Sequence, residues 1–194
     1  MTGFPRGRIA FLVTGNVHKF NEIRWLLSEY KIATAMLRKV DAIEIQDDSV
    51  ENVARMSAVD AVKKCKLPIV VEDAGLFIEA LNDFPGPYSS YVYRTIGNDG
   101  VIKLMENVAK RAACFKSVVA FLSPEMDEPV CFSGEVKGEI VAEKCGGHGF
   151  GFDPIFKPLD HRKTFAEMTL DKKNRHSHRA LAFRKFAEWY IASF

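Results

Sequence analysis

The apolar run Ile9-Ala10-Phe11-Leu12-Val13 ends in Thr14-Gly15-Asn16-Val17-His18-Lys19, after which Phe20, Ile23, Leu26, Leu27 and Tyr30 recur at helical spacing. A short segment without polar alternation suits a strand buried on both faces, as at the centre of a parallel or mixed sheet. A strand over Arg8 to Val13 leading at once into an amphipathic helix is half of a βα unit and points to an α/β fold. The turn between them is where backbone N–H groups and the helix dipole favour an anion, above all a phosphate. Lys19, one turn into the helix, can reach the same phosphate as a point charge. The stretch lacks the G-x-x-x-x-G-K-[ST] spacing of a P-loop, so on its own it also fits an ordinary βα connection.

Further along, Thr34 to Leu37 is expected as a second strand, followed by the acidic stretch Asp41 to Asp48 that carries Glu44. Ser49 is a good N-cap for a second helix, with Glu51 in its first turn and Val50, Val53 and Val62 on its apolar face. Lys63, Lys64 and Lys66 suit its C-terminal dipole, and Pro68 blocks continuation. Pro68 to Val71 reads as another buried strand that delivers Glu72 and Asp73 at its C-terminal end, where open α/β sheets bind ligands. Acids placed there suit metal or proton chemistry. Asp73 equally suits the N-cap of a segment from Gly75 to Leu81.

Phe84-Pro85-Gly86-Pro87-Tyr88-Ser89-Ser90 is expected as a rigid turn, and Asn98 or Asp99 as the cap of a helix through Met105. Cys114 to Leu122 and Pro129 to Val141 are rich in β-branched and aromatic residues and predict long antiparallel strands of a second lobe. Between Gly146 and Pro154 the glycines let a ligand approach the backbone closely, while Phe150 and Phe152 offer rings for stacking and Asp153 an acceptor. The spacing is not G-x-G-x-x-G, and a glycine-rich turn between strands is the plainer alternative. Lys172-Lys173-Asn174 and Ser177-His178-Arg179 then precede a helix carrying Leu181, Phe186, Trp189 and Tyr190. Ser177 suits an N-cap, and a Ser-His pair adjacent in sequence is a poor nucleophile-base pair, so ligand donors fit this cluster better than nucleophilic catalysis.

A chain of 194 residues with 47% apolar and 27% charged residues has enough material for a substantial core and fits neither a disordered nor a fibrous class. Its net charge of +2 gives no basic block of the kind that coats nucleic acid or a membrane surface, so an anionic ligand must meet local positive charge. Cys65, Cys114, Cys131 and Cys145 contain no C-x-x-C pair and read as reduced packing residues. Arg6 and Arg8 precede an apolar run too short for a signal segment or a membrane span, which predicts a cytoplasmic protein.

Taken in order, Thr14 to Lys19, Glu44-Ile45-Gln46, Glu72 to Leu76, Phe84 to Tyr88, Phe150 to Pro154, Phe165-Ala166-Glu167-Met168 and Lys173-Asn174 through Ser177-His178-Arg179 resemble the inosine/xanthosine triphosphate pyrophosphatase family. That resemblance implies an elongated α/β fold of two lobes, a central mixed β-sheet flanked by helices, and a nucleotide cleft between the lobes. It implies one pyrophosphatase domain over residues 1–194, Mg²⁺ dependence and a homodimer. It further implies Thr14, Asn16 and Lys19 on the triphosphate, Glu44 and Asp73 at the metal, and Phe150, Asp153, Lys173, His178 and Arg179 around the base. Many bacterial members carry a phosphate-binding lysine at the position of Met56; Arg55 beside it points about 100° away on a helix.

The reaction this implies is hydrolysis of ITP, dITP or XTP to the monophosphate and pyrophosphate, by water attack at the α-phosphorus. Asp73 orients or deprotonates the water, with Glu72 as the competing candidate. His178 and Arg179 as donors match a 6-oxo group and reject the 6-amino group of adenine, but leave guanine to be excluded at C2. Two other readings compete: a pyrophosphatase of modified nucleotides of the septum-formation-inhibitor type, and a nucleotide sensor without chemistry. Acids beside a phosphate turn argue against the sensor, because a pure anion binder gains nothing from them without a bridging metal.

Overall fold

The computed structural model describes residues 8–194. Arg6 lies outside the described residues, whereas Arg8 donates from Nη2 to the carbonyl of Ile191 at 3.2 Å. Strand β1 (Ile9–Val13), helix α1 (Val17–Glu29) and strand β2 (Ala33–Leu37) form the expected unit, with β2 parallel to β1 from Ile9↔Ala33 to Val13↔Leu37. Helix α2 (Val50–Cys65) starts at Ser49, whose side chain accepts the Asn52 N–H, and stops at Lys66 in the left-handed region.

Strand β3 differs from expectation. It runs from Ile69 to Ile78, so Glu72 and Asp73 sit mid-strand and no helix is capped by Asp73. The reason lies in its neighbour: β5 (Ala112–Leu122) pairs with it antiparallel over its whole length, from Ile69↔Leu122 to Ile78↔Ala113, and supplies ladder hydrogen bonds past the point where the local apolar run breaks. Gly75 is required there, because a Cβ would lie 2.3 Å from the carbonyl oxygen of Gly86 on the two-residue strand β4 (Pro85–Gly86). The Ser89 hydroxyl fixes this turn, accepting the Leu76 N–H and donating to the Gly86 carbonyl.

Helices α3 (Ser89–Thr95) and α4 (Gly97–Leu104) follow. Neither Asn98 nor Asp99 caps α4, which has no side-chain cap; Asn98 donates to the Gly151 carbonyl instead, and Asp99 pairs with Lys144. Strand β6 (Val130–Ile140) is antiparallel to β5, and β7 (Phe156–Pro158) closes the sheet edge. The described residues form one open mixed sheet of seven strands in the order β2-β1-β3-β5-β6-β7, with β4 beside β3. The predicted hairpin lobe is therefore an extension of the βαβ sheet, since β3 and β5 run through both halves.

Alternation along the strands sorts the core. Val70, Val119 and Phe121 face α1 and α6 (His178–Ser193), packing on Leu26, Leu27, Phe183 and Phe186. Val71, Val118 and Ala120 face the opposite side, against Ala54, Ala58 and Ala61 of α2. At the far end, Leu76, Ile78, Phe115, Phe156 and Phe165 form a third cluster. Lys173 and Asn174 lie on a separate short helix, α5 (Leu170–His176), and Ser177 is at once its C-cap and the N-cap of α6. The four cysteines are unpaired and half-buried, and burial pushes the Cys114 thiol up to about 12 and that of Cys131 to about 11. Among the described residues no helix is long and apolar enough to cross a membrane.

Candidate active site

The turn after β1 is held by its own side chains. Thr14 Oγ1 accepts the Asn16 N–H at 3.1 Å, and Asn16 Oδ1 accepts the N–H groups of His18 and Lys19 at 2.9 and 3.1 Å. Asn16 is thus the N-cap of α1. The expected amide cradle is narrower than the sequence suggests, because those amides are engaged within the turn. Its cation is Lys19, whose Nζ lies 3.0 Å from Glu72 Oε2.

Adjacent positions on a strand point to opposite faces, so Glu72 and Asp73 divide. Glu72 projects toward α1 and α6, where Ser117 Oγ donates to its Oε1 at 2.7 Å and Arg179 Nη2 approaches the same oxygen at 3.2 Å. Burial alone would raise its pKa, but Arg179, Lys19 and the Ser117 hydroxyl overcome that and hold it well below the usual carboxylate range. Asp73 projects toward α2. Burial raises its pKa to about 6; Lys19 opposes the rise, while the charges of Glu72 and Glu44 add to it. Its Oδ2 is buried without a hydrogen-bond partner among the described residues. Glu44 is exposed, in an irregular segment pinned to α2: the Ser57 hydroxyl donates to the Ile43 carbonyl, and the Ile43 N–H to Asp60.

The C-terminal cluster is a buried chain of opposite charges. Lys173 Nζ bridges Asp153 Oδ2 at 2.6 Å and Glu22 Oε1 at 2.7 Å, and Arg179 Nη1 meets Glu22 Oε2 at 2.6 Å. Asp153 also accepts the Phe150 N–H at 2.8 Å, so the acceptor expected to face a ligand is committed to the loop and to Lys173. Burial raises the pKa of Asp153 against the pull of Lys173. For Glu22 burial acts in the same sense but loses to Arg179 and Lys173, and its pKa falls. His178 is flat against Phe115, with ring centroids 4.5 Å apart, and burial with Arg179 beside it lowers its pKa well below 6.5. The imidazole is therefore neutral, and its Nδ1, like Arg179 Nε and Asn174 Oδ1, is buried without a partner among the described residues. Phe150 lies between the exposed His18, stacked at 5.6 Å, and the cations of Lys173 and Arg179 at 5.0 and 5.4 Å.

Through Glu72 and Glu22 the structure brings Lys19, Arg179, Lys173 and Asp153 into one network, while Asp73 and Glu44 stand on the other face of the sheet. Sequence reasoning missed Glu22 and Ser117. Glu22 left a usable signal: it is four residues before Leu26, on the buried stripe of α1, where an unpaired carboxylate is costly. Arg55 does not compensate for Met56, which is exposed; its guanidinium is tied to Glu51 at 2.9 Å and to the Pro129 carbonyl at 3.1 Å.

The profile of the Ham1 family matches residues 10–189. A dITP/XTP pyrophosphatase of Ignicoccus hospitalis is 50% identical over 179 residues, covering 92% of this chain and 94% of its own. One from Methanopyrus kandleri is 46% identical over 177 residues, covering 91% and 93%. Among solved structures, a HAM1 protein from Coxiella burnetii superposes with a TM-score of 0.83 at 29% identity, over 95% of this chain and 99% of that one. With a profile match across nearly all of β1 to α6 and relatives this similar over more than nine-tenths of their length, the chain belongs to the Ham1 family.

Proposed function

We propose that residues 1–194 form one pyrophosphatase domain that hydrolyses ITP, dITP and XTP to the monophosphate and pyrophosphate, by water attack at the α-phosphorus. The observation that carries this reading is the division of Glu72 from Asp73. One acid is locked among cations, and the next, with a pKa of about 6 and a free buried oxygen, is set for proton or metal chemistry near the phosphate turn. The activity named for the relatives from Ignicoccus hospitalis and Methanopyrus kandleri supports the same reaction.

Asp73, not Glu72, is the group we assign to orient or deprotonate the attacking water. Glu72 already receives Ser117, Arg179 and Lys19 and has no reason to take a proton near neutrality. Thr14 and Asn16 shape the turn, and Lys19 places a positive charge at the triphosphate. The unpartnered Asp73 oxygen and the nearby Glu44 are hard oxygen donors, which fit Mg²⁺; this ion commonly takes one or two carboxylates and completes its shell with phosphate and water. When bound, Mg²⁺ neutralises charge building on the phosphate oxygens and the leaving group.

For the base, Phe150 is the platform, reached by displacing the exposed His18 ring. Arg179 Nε and, in the tautomer protonated there, His178 Nδ1 are the donors for a 6-oxo group, and both are buried without partners, which an adenine amino group cannot relieve. Lys173 and Asp153 hold the Phe150 loop in place. Action in the cytoplasm fits the unpaired cysteines, and a homodimer fits the exposed Tyr88, Tyr91 and Ile96 around α3. Incubation with ITP, dITP, XTP, GTP and ATP plus Mg²⁺, followed by phosphate-product analysis, tests the reading. Pyrophosphate from the first three, with little turnover of ATP, is expected. Orthophosphate release, or equal turnover of ITP and ATP, refutes it.

A further inference from the structure

We infer that Lys116 is a binding residue for the pyrophosphate end of the substrate, an inference that deepens the reading above and rests on it. Lys116 is opposite Gly75 in the β3–β5 ladder, two residues from Val118, the partner of Asp73. Lys116 and Asp73 therefore project from the same face of the sheet as diagonal neighbours, about 7–8 Å apart at the backbone. That face carries a cavity of about 240 Å³, bounded by Lys116, Phe77, Val118 and Ser133 on the sheet and by Ser49 and Val50 at the start of α2.

Lys116 makes no close ion pair among the described residues, although the exposed Glu135 lies opposite it in the β5–β6 ladder. Its Nζ lies 4.6 Å over the Phe77 ring and pairs with no carboxylate among the described residues. The site's other cations each carry an acid partner: Lys19 has Glu72, Lys173 and Arg179 have Glu22, and Arg55 has Glu51. Cleavage at the α-phosphorus moves negative charge onto the departing diphosphate, and a free ammonium with a helix N-terminus across the cavity stabilises it there. The carboxylates of Asp48, Glu51 and Glu135 also border the cavity, but all three residues are exposed and Glu51 is paired with Arg55. Water screens them, and the divalent cation that travels with a triphosphate offsets them.

The test compares the unmutated protein with Lys116→Met and Lys116→Arg, measuring KM for dITP and the binding of inorganic pyrophosphate and of IMP by calorimetry in Mg²⁺. Lys116→Met is expected to raise KM and to weaken pyrophosphate about tenfold or more, with IMP within about twofold and Lys116→Arg restoring most of the loss. Pyrophosphate binding unchanged in Lys116→Met, or weakened only as much as IMP binding, overturns the inference. If the unmutated protein releases orthophosphate, the reaction assigned above fails; the pyrophosphate titration still decides whether Lys116 holds a diphosphate. Thermal unfolding of all three proteins separates a binding loss from a folding one.

Discussion

Replacing Asp73 by Asn separates its chemistry from its cost to the fold. In the folded chain its pKa stands at about 6, against 3.8 for a free aspartate. A raised acid binds protons more tightly in the native than in the unfolded state, so the fold gains nothing from it below pH 3.8 and loses stability as the pH climbs to about 6. At 1.36 kcal/mol per unit, the ionised carboxylate costs about 3 kcal/mol at pH 8. Asn keeps the shape, accepts the Ala74 N–H and carries no charge, so Asp73→Asn should recover much of that cost. For a chain of this length the gain corresponds to a rise in Tm of roughly 5–10 °C at pH 8 without metal. At pH 4 the two proteins should melt within a degree or two of each other, since the native Asp73 is then protonated. The same variant should lose about 10²-fold or more in kcat, and Mg²⁺ should raise its Tm less than that of the unmutated protein. Melting curves at both pH values, with EDTA and with Mg²⁺, check this. An equal shift at pH 4 and pH 8, or a near-unmutated rate at saturating Mg²⁺, refutes the role given to Asp73.

Lys19→Ala should raise KM for ITP, dITP and XTP by a common factor and leave the preference between bases unchanged; a base-dependent change would move Lys19 out of the triphosphate site. Arg179→Ala should raise KM for ITP and also destabilise by about 3–5 kcal/mol, because it strips Glu22 and Glu72 of a buried partner. Denaturant titration beside KM for ITP measures both effects. Acid removes two other contributions to stability, against the gain from protonating Asp73 between about pH 6 and pH 3.8. His178, held below 6.5, contributes fully above that pH and loses its contribution as the pH falls toward its folded value. Glu22, held below 4.5, loses its own below pH 4.5. Relative to the unmutated protein, His178→Gln should gain Tm as the pH falls below 6.5 and keep the loss due to Glu22; a Tm difference that does not change with pH contradicts this.

What the sequence made legible is what local physics writes into neighbouring residues. The β1–α1 turn, the Ser49 cap and the end of α2 at Lys66 all rest on signals within a few positions, and each appears where expected. The extension of β3 beyond Asp73 was hidden because it depends on β5, whose Ser117 to Ala113 complete the ladder with Ala74 to Ile78 from far along the chain. Asp153 and Arg179 were legible as polar groups in the right cluster, but not as members of an ion network. Glu22, which pairs with Arg179 and with the Lys173 that holds Asp153, is 157 residues from Arg179, and only folding brings them together. The two acids at 72 and 73 look equivalent in sequence; the pleat, which sends them to opposite faces, gives them different surroundings.

The most direct test of the reaction is hydrolysis of dITP in H₂¹⁸O with Mg²⁺, followed by mass analysis of both products. Attack at the α-phosphorus with Asp73 at the water predicts one ¹⁸O in dIMP and none in pyrophosphate. Label in pyrophosphate, or in released orthophosphate, would contradict it.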